Sequence, residues 1–223
     1  MPSDCSSDLR KPSDDCAQNG GAAQPALSGK HEVQERRLWT AAAIGHQLPN
    51  DLPTVSMVMT GHDEAGLSHV LTTEPPMTAW HDSVDNGQMA FYSLYHTVGS
   101  PANTEQDYNL HARLMHDSPS GPPLVVTDGT VARMVDFAPG YTTVLHRSLS
   151  IDYGVVIEGS VDLVLDSGEV RNIERGGTIV QRGTMHAWRN PHPTNWARVF
   201  FVLVSALPRQ YGGGHLEEDL GGL

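Results

Sequence analysis

The chain has 223 residues, with 39% hydrophobic and 18% charged side chains, a composition typical of a globular domain with a sizeable core. Its formal net charge of −12, with only 14 lysines and arginines, argues against a nucleic-acid partner and against an anionic membrane surface. With 22 glycines and 15 prolines, the sequence favours short strands joined by turns over long helices.

Residues 1–30 are rich in Ser, Asp, Gly, Pro and Ala, and they predict a disordered tail because they carry too little apolar surface to bury. Both cysteines, Cys5 and Cys16, lie in this tail, so neither a disulfide framework nor a cysteine zinc site is expected in the folded part. The N-terminus lacks the pattern of a signal peptide and no apolar run approaches the length of a membrane span, which predicts a cytoplasmic protein.

Residues 31–123 are expected to supply strands and irregular segments that pack on a barrel. Two strand-like runs separated by a turn predict a hairpin: Thr54–Thr60 and Ser68–Thr72. A further strand is predicted over Ala90–Thr97, and one or two helical turns over Tyr108–Met115. Four histidines in this region could line a pocket, although surface or structural positions are favoured for each: His81, His96, His111 and His116.

From Leu124 onward, short β-like segments recur about every 8–12 residues with turn residues between them, which is typical of a sandwich or barrel. The predicted strands are Thr130–Phe137, Thr143–His146, Tyr153–Glu158, Val161–Asp166, Glu169–Ile173, Thr178–Arg182, His186–Asn190 and Arg198–Val204. Residues 124–207 are therefore expected to form the barrel core, and residues 208–223 a frayed C-terminal tail.

Two motifs within residues 140–190 carry the polar residues that could do chemistry. The first contains Gly140, His146, Ser148, Asp152 and Gly159, and the second contains Gln181, Gly183, His186 and Asn190. Their spacing resembles the two motifs of the cupin superfamily, with Ser148 in place of a second histidine, Asp152 in place of glutamate and Gln181 in place of proline. The resemblance implies an all-β double-stranded β-helix, the jelly-roll barrel of cupins.

More narrowly, the segments around both motifs are similar to small single-domain cupins, including the cupin-domain oxidoreductases of fungal polyketide and other secondary-metabolite clusters. The resemblance implies an enzyme that acts on a small-molecule substrate. It also implies a homodimer, since cupins often pair through the edge strands of their barrels.

Such a barrel would bring His146, Asp152 and His186 together as a two-histidine, one-carboxylate donor set with open positions. That set suits non-haem Fe(II), and Zn, Mn, Ni or Cu is also possible by geometry. Because Ser148 replaces a ligand histidine, an alternative is a barrel without metal in which His146 and Asp152 hydrogen-bond each other.

The substrate pocket is expected to be shaped by Trp188, which alternation places on the same strand face as His186. Phe200 and Met134 could extend this apolar wall, although ordinary barrel packing would explain the same residues. Gln181 or Ser148 is expected to hydrogen-bond the substrate.

The resemblance implies an oxidoreductase that acts on a small aromatic or polyketide-like intermediate of secondary metabolism, and the donor set permits it to be metal-dependent. Its catalytic residues would be His146, Asp152 and His186. One alternative is a non-redox isomerase, cyclase, dehydratase or decarboxylase in which His146 or His186 is the general base. The other alternative is a metal-free barrel that only binds a small molecule.

Overall fold

The computed structural model describes residues 50–71, 80–116 and 122–221, without the side chains of residues 80–82. The predicted disordered tail, residues 1–30, lies outside the described residues, and so do both cysteines. His81 belongs to the strand that begins at Trp80, and its side chain is likewise outside the description.

The described residues form thirteen short strands, one α-helix and one turn of 3-10 helix. The strands are β1 (Thr60–His62), β2 (Ser68–Val70), β3 (Trp80–Val84), β4 (Met89–Thr97), β5 (Thr130–Phe137), β6 (Ser150–Glu158), β7 (Ser160–Leu165), β8 (Val170–Glu174), β9 (Thr178–Arg182), β10 (His186–Arg189), β11 (Ala197–Ser205), β12 (Arg209–Tyr211) and β13 (Gly214–Leu216). The helix α1 spans Asp107–His116, and the 3-10 turn spans Asp85–Gly87. Among the described residues, no helix has both the length and the apolar character needed to cross a membrane.

Two antiparallel sheets make the barrel. The larger has six strands in the order β3-β4-β5-β11-β6-β9, and the smaller has three in the order β10-β7-β8. The remaining strands form two small hairpins, β1-β2 and β12-β13. The all-β barrel predicted from the sequence is confirmed.

The hydrophobic core lies between the two sheets, because alternate residues of their strands point to the same interior. From β5 it receives Val131, Val135 and Phe137, and from the smaller sheet Val161 and Trp188. These side chains are at most 5% exposed, so they are almost completely shielded from solvent.

Alternation and turn residues located most strands correctly. β5 and β9 have the predicted bounds, and the other strands of the barrel core differ from the prediction by one to three residues at their ends. The predicted strand Thr143–His146 is wrong, since this stretch makes only single bridge pairs, His146 with His186 being one of them. The N-terminal hairpin exists, but its first strand begins at Thr60, where the predicted strand ends. The Asp63 side chain stabilises the turn by accepting hydrogen bonds from the Ala65 and Leu67 amides.

Two elements differ from the sequence prediction for physical reasons. The prediction of a frayed tail over residues 208–223 is wrong for the described residues 208–221, because β12 and β13 pair across Gly212 and Gly213, whose positive φ angles of 57° and 88° suit a two-residue hairpin turn. Strand β3 was not predicted, and it extends the large sheet by pairing with β4 over five residues. The N-terminal region therefore supplies two strands of the barrel sheet itself.

A buried ion pair lies on the outer face of the large sheet. The Arg198 Nε donates to Asp136 Oδ1 at 2.5 Å, and Nη2 donates to Oδ2 at 2.6 Å. The segment that precedes β1 covers the pair: Asn50 donates to Asp136 at 2.7 Å, and the Pro53 carbonyl accepts from Arg198 at 2.6 Å. Both charged side chains are almost completely buried, so this cluster fixes the N-terminal segment against the sheet.

Candidate functional site

A cavity opens inside the barrel, and its volume is about 520 Å³ including the part that meets solvent. Both sheets contribute to its wall. The lining residues are Met89, Phe91, Leu124, Arg133, Val135, Phe137, Thr143, His146, Ser148, Asp152, His186, Trp188, Phe201 and Leu203. Most of this surface is apolar with a few convergent polar groups, which is the usual composition of a small-molecule site.

Main-chain hydrogen bonds bring His146 and His186 together. The amide of each residue donates to the carbonyl of the other, at 2.8 and 2.9 Å. The two rings are consequently adjacent, with their centroids 4.3 Å apart and their planes inclined by 49°. Two histidines separated by forty positions thus meet because β10 begins opposite the segment that leads into β6.

The tautomer of both rings is fixed by the backbone. His146 Nδ1 lies 2.9 Å from the Val144 carbonyl oxygen, and His186 Nδ1 lies 2.9 Å from that of Thr184. Since a carbonyl oxygen can only accept, each Nδ1 carries the proton and each Nε2 keeps its lone pair. No described residue hydrogen-bonds either Nε2 atom.

Burial keeps both rings neutral. It lowers the pKa of His146, and it lowers the pKa of His186 to about 3, where the neighbouring His146 adds to the effect. The hydrogen bonds to Val144 and Thr184 oppose these shifts without reversing them. Neutral imidazoles with free Nε2 atoms can accept a proton or coordinate a metal.

Asp152 lies on the same cavity wall but does not contact the histidines through a hydrogen bond. Its Oδ1 accepts from Ser150 Oγ at 2.5 Å, and Ser150 Oγ lies 2.8 Å from Ser148 Oγ. Burial raises the pKa of Asp152 to about 6, and the two serines together with the charge of Arg133 lower it by less. The alternative in which His146 and Asp152 pair with each other is therefore not found.

Ser148 and Trp188 occupy the positions predicted for them in the pocket. Ser148 is buried and lines the cavity. Trp188 meets His186 edge-on at 5.4 Å between ring centroids and also contacts Phe201. The wall is thus aromatic next to the histidine pair.

Gln181 takes a different place from the one expected for a substrate contact. It is buried but is absent from the cavity wall, and its amide donates to the Thr184 side-chain oxygen and, at 3.3 Å, to the Thr184 carbonyl. The same carbonyl accepts from His186 Nδ1. In the structure Gln181 therefore supports the turn that orients His186.

Arg133 and Phe201 are among the wall residues that the sequence did not identify. It named Phe200 and Met134 instead, which pair with each other across β5 and β11 and are not cavity residues. The inward phase of β5 holds Arg133, and register pairs it with Phe201. A charged residue in the otherwise apolar phase of an alternating strand was the signal that could have found Arg133.

The three predicted metal ligands are not brought together. Within residues 50–71, 80–116 and 122–221, no three or more His, Cys, Asp or Glu side chains are grouped so that they could hold one metal ion. His146 and His186 are paired, whereas Asp152 is directed to Ser150. The geometry thus provides two imidazole donors and a separate carboxyl.

A second histidine pair is buried outside the cavity, between β4 and α1. His96 and His111 are both fully buried, and their Nδ1 atoms are 3.2 Å apart, so one ring donates and the other accepts. Burial lowers the pKa of His96 to about 3 and that of His111 to about 4; each is lowered further by neighbouring positive charge. The structural role favoured by the sequence agrees with this placement.

This pair should make the fold sensitive to acid. Because the pKa of each ring is lower in the folded than in the unfolded chain, the unfolded chain binds more protons below pH 6.5, and stability is lost as the pH falls toward 4. We expect each histidine to contribute about 1 kcal/mol per pH unit to this slope. Urea unfolding of His111→Gln between pH 7.5 and 5 should show a shallower slope than wild type. His69→Gln, on the exposed β1-β2 hairpin, should keep the wild-type slope, and an unchanged slope in His111→Gln would contradict the assignment.

Curated proteins of fungal biosynthesis clusters are similar to this chain over most of its length. The oryzines biosynthesis cluster protein J of Aspergillus oryzae is 38% identical over 179 residues, which cover 80% of this chain and 98% of that protein. The cupin-domain-containing oxidoreductase fogC of Aspergillus ruber is 38% identical over 167 residues, which cover 74% of this chain and 79% of that protein.

The family models and the solved structures say less about this chain than the curated relatives do. No family model matches the chain. Among solved structures, the cupin domain of Schizosaccharomyces pombe Cnp3 is 12% identical and covers 67% of this chain and 86% of that domain, with a TM-score of 0.39. This structural likeness carries no functional argument.

Proposed function

Because the chain belongs to the family of cupin-domain oxidoreductases found in fungal biosynthesis clusters, we propose that it oxidises a small aromatic or polyketide-like intermediate inside the barrel cavity. The observation that carries the proposal is the pair of neutral imidazoles, His146 and His186, which line the cavity and whose Nδ1 atoms are held by backbone carbonyls. The aromatic wall beside them suits a flat substrate.

The proposal includes a divalent metal, for which the cavity offers the imidazoles of His146 and His186 as donors. Two neutral imidazoles in a fixed tautomer, each with Nδ1 held by a carbonyl, are the donor arrangement of metal-binding histidines. They would hold the ion, Fe(II) in the first place, with Zn, Mn, Ni or Cu as alternatives. Asp152 is not grouped with them, so the ligand set supported by the geometry is the histidine pair. Bound Fe(II) would supply the electron-transfer chemistry that O₂ requires.

The chain's own groups would position the substrate and move its protons. The tilted rings of Trp188 and Phe201 would hold the flat part of the substrate and exclude water. Asp152 would exchange a proton at Oδ2, since a pKa of about 6 leaves both of its forms accessible near neutral pH. The substrate would lose two hydrogen atoms, and O₂ would take them up as hydrogen peroxide.

A non-redox reaction is the second candidate, and the separate position of Asp152 favours it. Two neutral histidines and a carboxyl that titrates near pH 6 form an acid–base set that needs no metal. Isomerisation, cyclisation, dehydration or decarboxylation could then proceed with His146 Nε2 as the base and Asp152 as the acid, since a pKa of about 3 makes His186 a weak base.

Mass spectrometry of one reaction distinguishes these candidates. Deleting the gene in the producing organism should accumulate the intermediate, which is then incubated with the purified chain in air and without O₂. Oxidation predicts a product lighter by two hydrogens, formed only with O₂. A product of equal mass, or one lacking water or CO₂, formed equally without O₂, would support the non-redox candidate and contradict oxidation. A bound but unchanged intermediate would leave only the binding function.

A further inference from the structure

We propose that Arg133 binds an anionic group of the substrate, so that the cavity accepts small aromatic carboxylic acids in preference to neutral rings. The inference deepens the proposed function and rests on it, since it assumes that the substrate occupies the same cavity. Arg133 has no role in the family motifs described above.

Arg133 is a charged side chain on an apolar face. In β5 it lies between Val131 and Val135, which both point into the barrel, and it is itself only 5% exposed. It belongs to the cavity wall. Burying a cation at such a place is costly unless an anion or several hydrogen bonds compensate it.

The partners of Arg133 compensate it only in part. Its Nη2 donates to the main-chain carbonyls of Pro123 and Leu124 at 3.2 and 2.8 Å, and its guanidinium lies 5.6 Å from the centre of the Phe91 ring. These groups orient the guanidinium and leave its full charge in place. The Nε atom is buried and has no hydrogen-bond partner in the part of the chain that the structure describes.

The carboxyl group of Asp152 does not neutralise the charge of Arg133. Asp152 and Arg133 share the cavity wall and each affects the pKa of the other, but no ion pair of 4.0 Å or less joins them. Burial lowers the pKa of Arg133 to about 10, which still leaves it charged at neutral pH. Arg198, which is also buried, is by contrast fully paired with Asp136. Arg198, which has a structural role, thus has a carboxylate partner, whereas Arg133 in the cavity wall has none within 4.0 Å among the described residues.

The rest of the wall indicates what kind of anion fits. A carboxylate is planar and matches the fork of a guanidinium. The aromatic side chains of Trp188 and Phe201 line the same cavity, and Phe201 is the direct strand partner of Arg133. An aromatic ring bearing a carboxylate would use both features at once.

Calorimetry with two matched probes tests the proposal. We would titrate chelator-treated protein at pH 8 with 2-naphthoate and with 2-naphthamide, which share a ring and differ in charge. We expect naphthoate to bind at least tenfold more tightly. Arg133→Gln should lose this preference, Arg133→Lys should keep part of it, and Arg171→Gln, an exposed arginine paired with Glu169, should keep all of it.

The charge of Asp152 gives a test that keeps Arg133 intact. Removing the neighbouring carboxylate should strengthen the field of Arg133, so Asp152→Asn should bind naphthoate several-fold more tightly and should change the affinity for naphthamide by less. Circular dichroism and thermal unfolding would establish that each variant is folded.

Three results would overturn the proposal. Equal affinity of the wild type for both probes would show that charge is not recognised. Unchanged naphthoate binding in folded Arg133→Gln would place the anion elsewhere. Binding that appears only after a divalent metal is added, and that Arg133→Gln leaves intact, would assign the anion to a metal. If the probes bind as expected but the accumulated intermediate is not oxidised, the proposed function fails while the anion site stands.

Discussion

Replacing Asp136 with alanine is expected to lower the free energy of unfolding by about 3–5 kcal/mol, because the change leaves the Arg198 guanidinium buried and without its anion. Asp136 is fully buried and accepts two hydrogen bonds from Arg198 and one from Asn50. Its loss also releases Asn50, and with it the segment that covers the outer face of the sheet. Urea unfolding monitored by circular dichroism measures the effect.

Two further variants separate the buried pair from ordinary surface charge. Glu169→Ala removes an exposed ion pair with Arg171 and should cost less than about 1 kcal/mol. The double variant Asp136→Leu/Arg198→Met removes both charges and should recover at least half of the loss, since apolar residues of similar size tolerate burial. A loss below about 1 kcal/mol in Asp136→Ala would mean that the cluster contributes little to stability.

His146→Ala and His186→Ala are each expected to weaken the binding of a divalent metal by about 100-fold or more, because each removes one of the two imidazole donors. The fold should survive, since the hydrogen bonds that join these positions are between main-chain atoms. Anaerobic calorimetry with Fe(II) on chelator-treated protein measures the affinity directly.

Two control variants show whether a loss of Fe(II) binding is specific to the histidine pair. His69→Ala removes an exposed histidine and should bind Fe(II) as the wild type does. Gln181→Leu removes only the support of the Thr184 turn, so its effect should be smaller than that of either histidine variant. Wild-type affinity in the His146→Ala/His186→Ala double variant would exclude the histidine pair as a metal site.

The fold was predictable from the sequence because alternation and turn residues are local signals. In β5 and β9 the period of two, bounded by glycine, proline or aspartate, was sufficient to give the strand limits. The same rule correctly implies that Met134 and Phe200 face away from the cavity, since both lie in the opposite phase from Arg133 and Phe201. Choosing them as wall residues ignored the phase of the strands.

The site was predictable only in part, because its chemistry depends on contacts between distant segments. Motif spacing led to His146, His186, Asp152, Ser148 and Trp188, all of which line one cavity. Spacing could not reveal that Ser150 takes the hydrogen bond of Asp152, or that Gln181 supports His186 through Thr184.

The second histidine pair shows the same limit of sequence reasoning. His96 and His111 are fifteen residues apart, one on a strand and one on a helix whose extent the sequence left open. Their contact depends on how α1 packs against β4. Polar residues that meet across two elements leave no periodic signal, whereas residues of one strand face do.

Turnover of the accumulated intermediate by His186→Ala tests most directly whether the reaction takes place at the histidine pair. We expect a rate at least about 100-fold below that of the wild type, whether His186 holds a metal or orients the substrate beside the neighbouring His146. His69→Ala should retain the wild-type rate. A folded His186→Ala variant that converts the intermediate at the wild-type rate would contradict the assignment of the reaction to this cavity.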